Sequence, residues 1–128
     1  MLEKLKILLV EDDSMIVDMY KLRFEEEGYE VLVTDKGTEA LEMAKKEQPA
    51  IILLDIILPE MDGFTILQEL KKDVETKNLP VLMLTNLGQE GDQFKGKEQG
   101  AAEYFVKSKH TPAQILEKVR EITKPKRF

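Results

Sequence analysis

The 128-residue sequence predicts an α/β domain built on a parallel sheet with helices on both faces. Two observations predict it. Short apolar runs alternate along the chain with segments of helical spacing. The runs are also continuously apolar rather than alternately apolar and polar, the pattern of strands covered on both sides.

The first strand is Lys6-Ile7-Leu8-Leu9-Val10, cut off by Glu11-Asp12-Asp13. Ile16, Met19, Tyr20 and Phe24 then fall near helical spacing, and Gly28 is a stop signal. The second strand is Tyr29-Glu30-Val31-Leu32-Val33; Ala40, Leu41 and Ala44 mark the helix after it, which Pro49 closes. Ile51-Ile52-Leu53-Leu54 is the third strand, followed by a helix carrying Ile66, Leu67 and Leu70. Val81-Leu82-Met83-Leu84 is the fourth. The fourth helix is expected over 88–99 and is weak. Gly91 and Gly96 each cost about 1 kcal/mol relative to Ala in a helix interior, and Phe94 is its one large apolar anchor after Leu87. Tyr104-Phe105-Val106 is the fifth strand. The last helix carries Ile115, Leu116, Val119 and Ile122, and its start is well specified: Thr111 caps, Pro112 suits the first turn, and Gln114 completes a capping box.

Composition narrows the function. With 42% apolar and 34% charged residues the chain can fill one core and cover it with a soluble surface, so one domain over 1–128 is expected. No apolar run approaches the roughly 20 residues of a membrane span, and the N-terminal apolar stretch is too short for a secretory signal. Absence of cysteine excludes a disulfide framework and thiol chemistry and suits the cytoplasm. A net charge of −6 argues against direct nucleic-acid binding. The basic tail Lys124-Pro125-Lys126-Arg127 reads as a solubilising end or the stump of a linker.

In parallel α/β sheets, sites form beyond the carboxyl ends of the strands. Glu11, Asp12 and Asp13 follow the first strand, Asp55 the third, Thr85 the fourth and Lys107 the fifth. All are expected on one rim. Clustered carboxylates repel one another, and a hard divalent cation relieves the repulsion; Mg2+ fits best, because it takes oxygen ligands, keeps waters and shares them with a phosphoryl group. A lysine and a hydroxyl on the same rim supply a charge and a donor to phosphoryl oxygens. A carboxylate is a competent nucleophile toward phosphorus. One of the acids, Asp13, is assigned instead to capping the first helix.

The segments ILLVEDD, IILLDIILPEMDG, LMLTN and EYFVK, in that order and each at a strand end, resemble the receiver domain of two-component response regulators over essentially the whole chain. The resemblance implies a flavodoxin-like (βα)5 sandwich with strand order 2-1-3-4-5. It implies Asp55 as phosphoacceptor and metal ligand, Asp12 as direct Mg2+ ligand, Glu11 as a ligand through water, and the backbone carbonyl of Ile57 as a further ligand. Thr85 and Lys107 would contact the phosphoryl group. Tyr104 would turn inward as Thr85 moves. Pro59 and Gly63 match the turn after the acceptor. The phosphodonor would be a histidine kinase or a histidine phosphotransfer protein. A downstream protein would read the surface formed by the weak fourth helix, the fifth strand and the last helix. The chain would be a monomer or a weak phosphorylation-dependent dimer, catalysing only its own phosphorylation and dephosphorylation. The sole histidine, His110, is expected to face solvent, with the donor histidine on another protein. Met61 and Asp62 are expected in a loop near the metal rim.

Two positions depart from the family pattern. Ser108 follows Lys107 where proline is usual; a cis non-proline bond costs about 2.5–4 kcal/mol, so a trans bond or a different loop is expected. Asn86 stands where a small residue is usual, over the site. Ile57 and Leu87 are apolar where they overlook Asp55, and with Asn86 they are expected to set the lifetime of the acyl phosphate. The alternative reading is a pseudo-receiver, a phosphorylation-independent interaction module. A nucleotide- or flavin-binding module is disfavoured, because acids occupy the place of a phosphate loop. No output domain follows in this sequence, so direct transcription-factor function is not expected of the chain as given.

Overall fold

A computed structural model describes residues 4–85, 99–107 and 109–123, and of Thr85 the backbone alone. The weak helix expected over 88–99, together with Asn86, Leu87, Ser108 and the basic tail, therefore lies outside the described residues, Gln99 excepted.

Five parallel strands form one sheet: β1 (Lys6–Val10), β2 (Glu30–Thr34), β3 (Ile51–Leu54), β4 (Val81–Thr85) and β5 (Glu103–Val106), in the order β2-β1-β3-β4-β5. The helices among the described residues are α1 (Ser14–Glu26), α2 (Gly37–Glu47), α3 (Gly63–Lys72) and a C-terminal helix, Pro112–Thr123. This is the flavodoxin-like order expected from the sequence. Strand boundaries agree with the apolar runs to within a residue.

Because successive side chains of a strand point to opposite faces, each strand feeds two cores. Ile7 and Leu9 of β1 and Ile51 and Leu53 of β3 meet Tyr20 and Phe24 of α1 and Ile115 and Val119 of the C-terminal helix. Leu8, Val10, Ile52 and Leu54 meet Ala40 and Ala44 of α2 and Ile66, Leu67 and Leu70 of α3. That double burial is why β1 and β3 are apolar throughout. The edge strand β2 is less fully covered, and among the described residues it alone carries an exposed residue, Glu30, within the sheet.

The helix signals are realised as hydrogen bonds. Asp13 Oδ1 accepts from the amides of Met15 and Ile16, which makes it the cap of α1. The capping box closes in both directions: Gln114 N donates to Thr111 Oγ1 at 3.2 Å, and Thr111 N donates to Gln114 Oε1 at 2.8 Å. Asp62 is more than a loop residue, since its carboxylate accepts from Thr65 N and Thr65 Oγ1 and caps α3. His110 departs from expectation. The chain turns back after β5 through Lys109 N to Val106 O, which drops the His110 ring edge-on against Phe105 at 4.6 Å, with Nδ1 3.1 Å from the Val106 carbonyl oxygen. It is half-buried rather than facing solvent. No helix among the described residues is long and apolar enough to cross a membrane.

The capping box gives a direct test. Thr111→Ala should lower the free energy of unfolding by about 1 kcal/mol in urea titrations, the usual cost of a lost N-cap.

Candidate functional site

The register of the sheet brings the strand-end residues together. Val10 lies opposite both Thr34 and Leu54, and Asp55 N donates to Val10 O at 3.1 Å, so Glu11 and Asp55 leave the sheet side by side. Thr85 lies opposite Val106, which brings Lys107 to the same rim. The strand order reverses between β1 and β3, and it is at such a switch point that diverging connections open a crevice.

The crevice has a volume of about 210 Å3 and is lined by Glu11, Asp12, Asp13, Ile16, Asp55, Ile57 and Lys107. Carboxylate oxygens of Glu11, Asp12 and Asp55 lie within 4.8 Å of one another. Asp12 is exposed, whereas Glu11 is buried with 3% of its surface accessible. Glu11 Oε2 accepts from the amides of Asp12 and Asp13 at 3.1 and 3.3 Å. Lys107 Nζ donates to Glu11 Oε1 and, at 3.3 Å, to Asp55 Oδ2. Asp55 Oδ1 accepts from Ile56 N at 2.7 Å, which orients the carboxylate and leaves the Oδ2 side toward the crevice. Ile57 is 60% exposed and overlooks the acids.

Burial pushes the Glu11 carboxyl up to about 7; Lys107 pulls it down, and Asp55 opposes that pull. In this arrangement, removing water from a carboxylate and placing it beside another outweighs one lysine. The donor set is all-oxygen, carboxylate-rich and short of positive charge, and so fits a hard divalent cation. Gly63 closes the loop behind the acceptor. A Cβ built there would lie 2.3 Å from the Asp55 carbonyl oxygen, and Gly63 N donates to Ile56 O at 2.7 Å. Only glycine admits that approach.

Of the residues singled out in the sequence, Glu11, Asp12, Asp55, Ile57 and Lys107 converge on the crevice. The Thr85 backbone ends β4 on the same rim, while its side chain, Asn86 and Leu87 lie outside the description. Tyr104 is buried, 6% exposed, on the α2–α3 side of β5. The sequence reading treated Ile16 as core alone, yet it also lines the crevice; its place in the first turn after the acids was the available signal. The direct Glu11–Lys107 pair was also missed, because 96 residues separate the two.

The family model of the response regulator receiver domain matches residues 7–120. Among curated proteins the chain is 41% identical over 102 residues to the DNA-binding dual master transcriptional regulator RpaA of Synechocystis sp., with 80% of this chain and 42% of that protein aligned. It is 38% identical to protein PilH of Pseudomonas aeruginosa, with 80% of this chain and 84% of that one aligned. The chain thus spans less than half the length of the first relative. Among solved structures, the chemotaxis response regulator CheY4 of Vibrio cholerae superposes with a TM-score of 0.85 at 30% identity, covering 94% of this chain and 99% of that one.

The raised Glu11 carboxyl sets a pH dependence. The folded protein holds a proton that the unfolded chain releases near 4.5, so this group's stabilising contribution is complete below about 4.5 and is lost as pH rises through about 7. Urea titrations of metal-free protein at pH 5 and pH 7.5 should show that loss. Glu11→Gln, which cannot ionise, should reduce the slope.

Proposed function

Since this chain belongs to the family of response regulator receiver domains, we propose that it is a phospho-accepting signalling receiver whose acceptor is Asp55. The observation that carries this reading is the meeting of Asp55 with Lys107 at 3.3 Å, inside a crevice whose other acids are Glu11 and Asp12.

The residues divide the work as follows. Asp12, Asp55 and the Ile57 carbonyl would hold Mg2+, and Glu11 would hold it through water. The ion, when bound, supplies charge neutralisation to the phosphoryl oxygens. Asp55 Oδ2 attacks phosphorus as the N–P bond of the donor's phosphohistidine breaks; with the other ring nitrogen protonated, the bonding pair stays on the leaving nitrogen, giving an aspartyl phosphate and a neutral imidazole on the donor. The bond from Ile56 N to Oδ1 keeps the carboxylate oriented during attack. Lys107 then pairs with a phosphoryl oxygen in place of a carboxylate, and Thr85 donates to another.

The donor is a histidine kinase or histidine phosphotransfer protein, and the reader of the state is a downstream protein. The switch is the movement of Thr85 with Tyr104, displayed on the surface of segment 88–99, β5 and the C-terminal helix. The glycines of 88–99 suit that role, because bistable elements come from the low-stability end of a fold. The domain acts in the cytoplasm, as a monomer or a weak phosphorylation-dependent dimer, without contacting nucleic acid itself. Ile57, Leu87 and Asn86 set the lifetime of the acyl phosphate, the first two by hindering in-line water.

Incubation with a small-molecule phosphodonor and Mg2+ should raise the intact mass by one phosphoryl group. Asp55→Ala should abolish the gain, and a gain that survives it would refute the assignment. Ile57→Asn and Leu87→Glu should speed decay of the phosphorylated form by about an order of magnitude, the effect of lowering a barrier by about 1.4 kcal/mol. Unchanged lifetimes in both would remove the shielding role.

A further inference from the structure

Ile57 is proposed to bind the metal through its backbone carbonyl, and its own side chain does little to hold that carbonyl in place. That side chain is 60% exposed, so packing of Ile57 itself does not locate its carbonyl. The loop from Ile56 to Asp62 must be located by its neighbours. Its two ends are secured: Ile56 is buried and bonded through its carbonyl to Gly63 N, and Asp62 caps α3. Between them, Leu58 and Met61 pack on the core beneath α2 and α3.

Met61 meets the first residue of α2. A Cβ built on Gly37 would lie 2.9 Å from Met61 Cβ and 3.1 Å from Ile66 Cγ1 and Cδ1. Ile66 is the milder contact, at 3.1 Å against 2.9 Å, and it lies on α3 rather than on the loop. The Cβ of Met61 moves only with the loop backbone. Helix α2 cannot easily retreat either. Ala40 and Ala44 hold it close to the sheet with essentially no exposed surface, and the buried Thr34 accepts from Lys36 N through Oγ1 at 3.2 Å. Lys36, at the cap position of α2, makes no side-chain capping bond, so capping does not explain the start of this helix. A side chain at position 37 would therefore be accommodated by moving the loop.

We propose that Gly37 is a positioning residue for the metal-binding loop: its missing side chain lets Met61 seat against α2, which sets the backbone at Ile57. The inference rests on reading the crevice as a Mg2+ and phosphoryl site. It assigns Gly37, which lies on another element and does not line the crevice, a part in cation affinity.

Isothermal titration of the metal-free 128-residue chain with Mg2+ tests it. Gly37→Ala should raise the Mg2+ Kd by about tenfold, the lower end of what disturbing the support of a metal ligand costs. The amide resonance of Ile57 should shift in the metal-free state as well, a change that loss of stability alone does not produce. A Kd for Gly37→Ala within about twofold of the unaltered chain, with the Ile57 amide unmoved, overturns this inference alone. Failure of the unaltered chain to bind Mg2+ overturns the proposed function and this inference with it. Should Gly37→Ala not fold, Met61→Gly by itself carries the test: weaker Mg2+ binding supports the seat, and unchanged binding overturns it.

Discussion

The parallel pairing of β1 with β3 is the constraint on which the rest of the molecule depends. These two strands are apolar on both faces and lie at the centre of the sheet, so a shift of one residue in either would exchange the side chains facing its two cores. The register that satisfies both cores ends the strands together, with the amide of Asp55 bonded to the carbonyl of Val10. The juxtaposition of Asp55 with Glu11 and Asp12 is thus a by-product of burying Ile7 to Val10 and Ile51 to Leu54. Hydrophobic burial holds the acids together against their own repulsion.

That repulsion is managed rather than removed. Among the described residues one cation, Lys107, answers three carboxylates, and it divides its donors between Glu11 and Asp55. Backbone amides do the rest: those of Asp12 and Asp13 turn to Glu11, and that of Ile56 turns to Asp55. The remaining imbalance is visible in the Glu11 carboxyl, raised by burial to about 7. A crevice short of positive charge is disposed toward a cation. Under the proposed function, a bound cation would free Lys107 for an incoming anion.

The loop behind Asp55 meets a different constraint, one of space. It must reverse the chain from β3 into α3 within a few residues and still present Ile57 to the crevice. Two glycines make room. Gly63 allows the chain to close on the Asp55 backbone, and Gly37 allows α2 to receive Met61. Side-chain size at positions remote from the acids thereby bears on where the acids' neighbours stand.

Much of this was legible in the sequence. The five apolar runs mark the strands because parallel strands buried on both faces need no polar alternation. Asp13, Thr111 and Gln114 announce helix starts because the bonds they make are local, within three residues along the chain. The acids and Lys107 could be assigned to one rim because every parallel strand points its carboxyl end the same way. What could not be read there depends on contacts between distant segments. The seating of His110 on Phe105 follows from how the turn after β5 closes. The direct pairing of Glu11 with Lys107 and the shifted proton affinity of Glu11 follow from depth of burial, which no local pattern encodes. The approach of Gly37 to Met61 joins two segments whose only shared property is the space between α2 and α3. Sequence by itself determined which residues stand at the strand ends. Tertiary packing decided how close they come and how strongly each feels the others, because distance and desolvation arise only once the chain has folded.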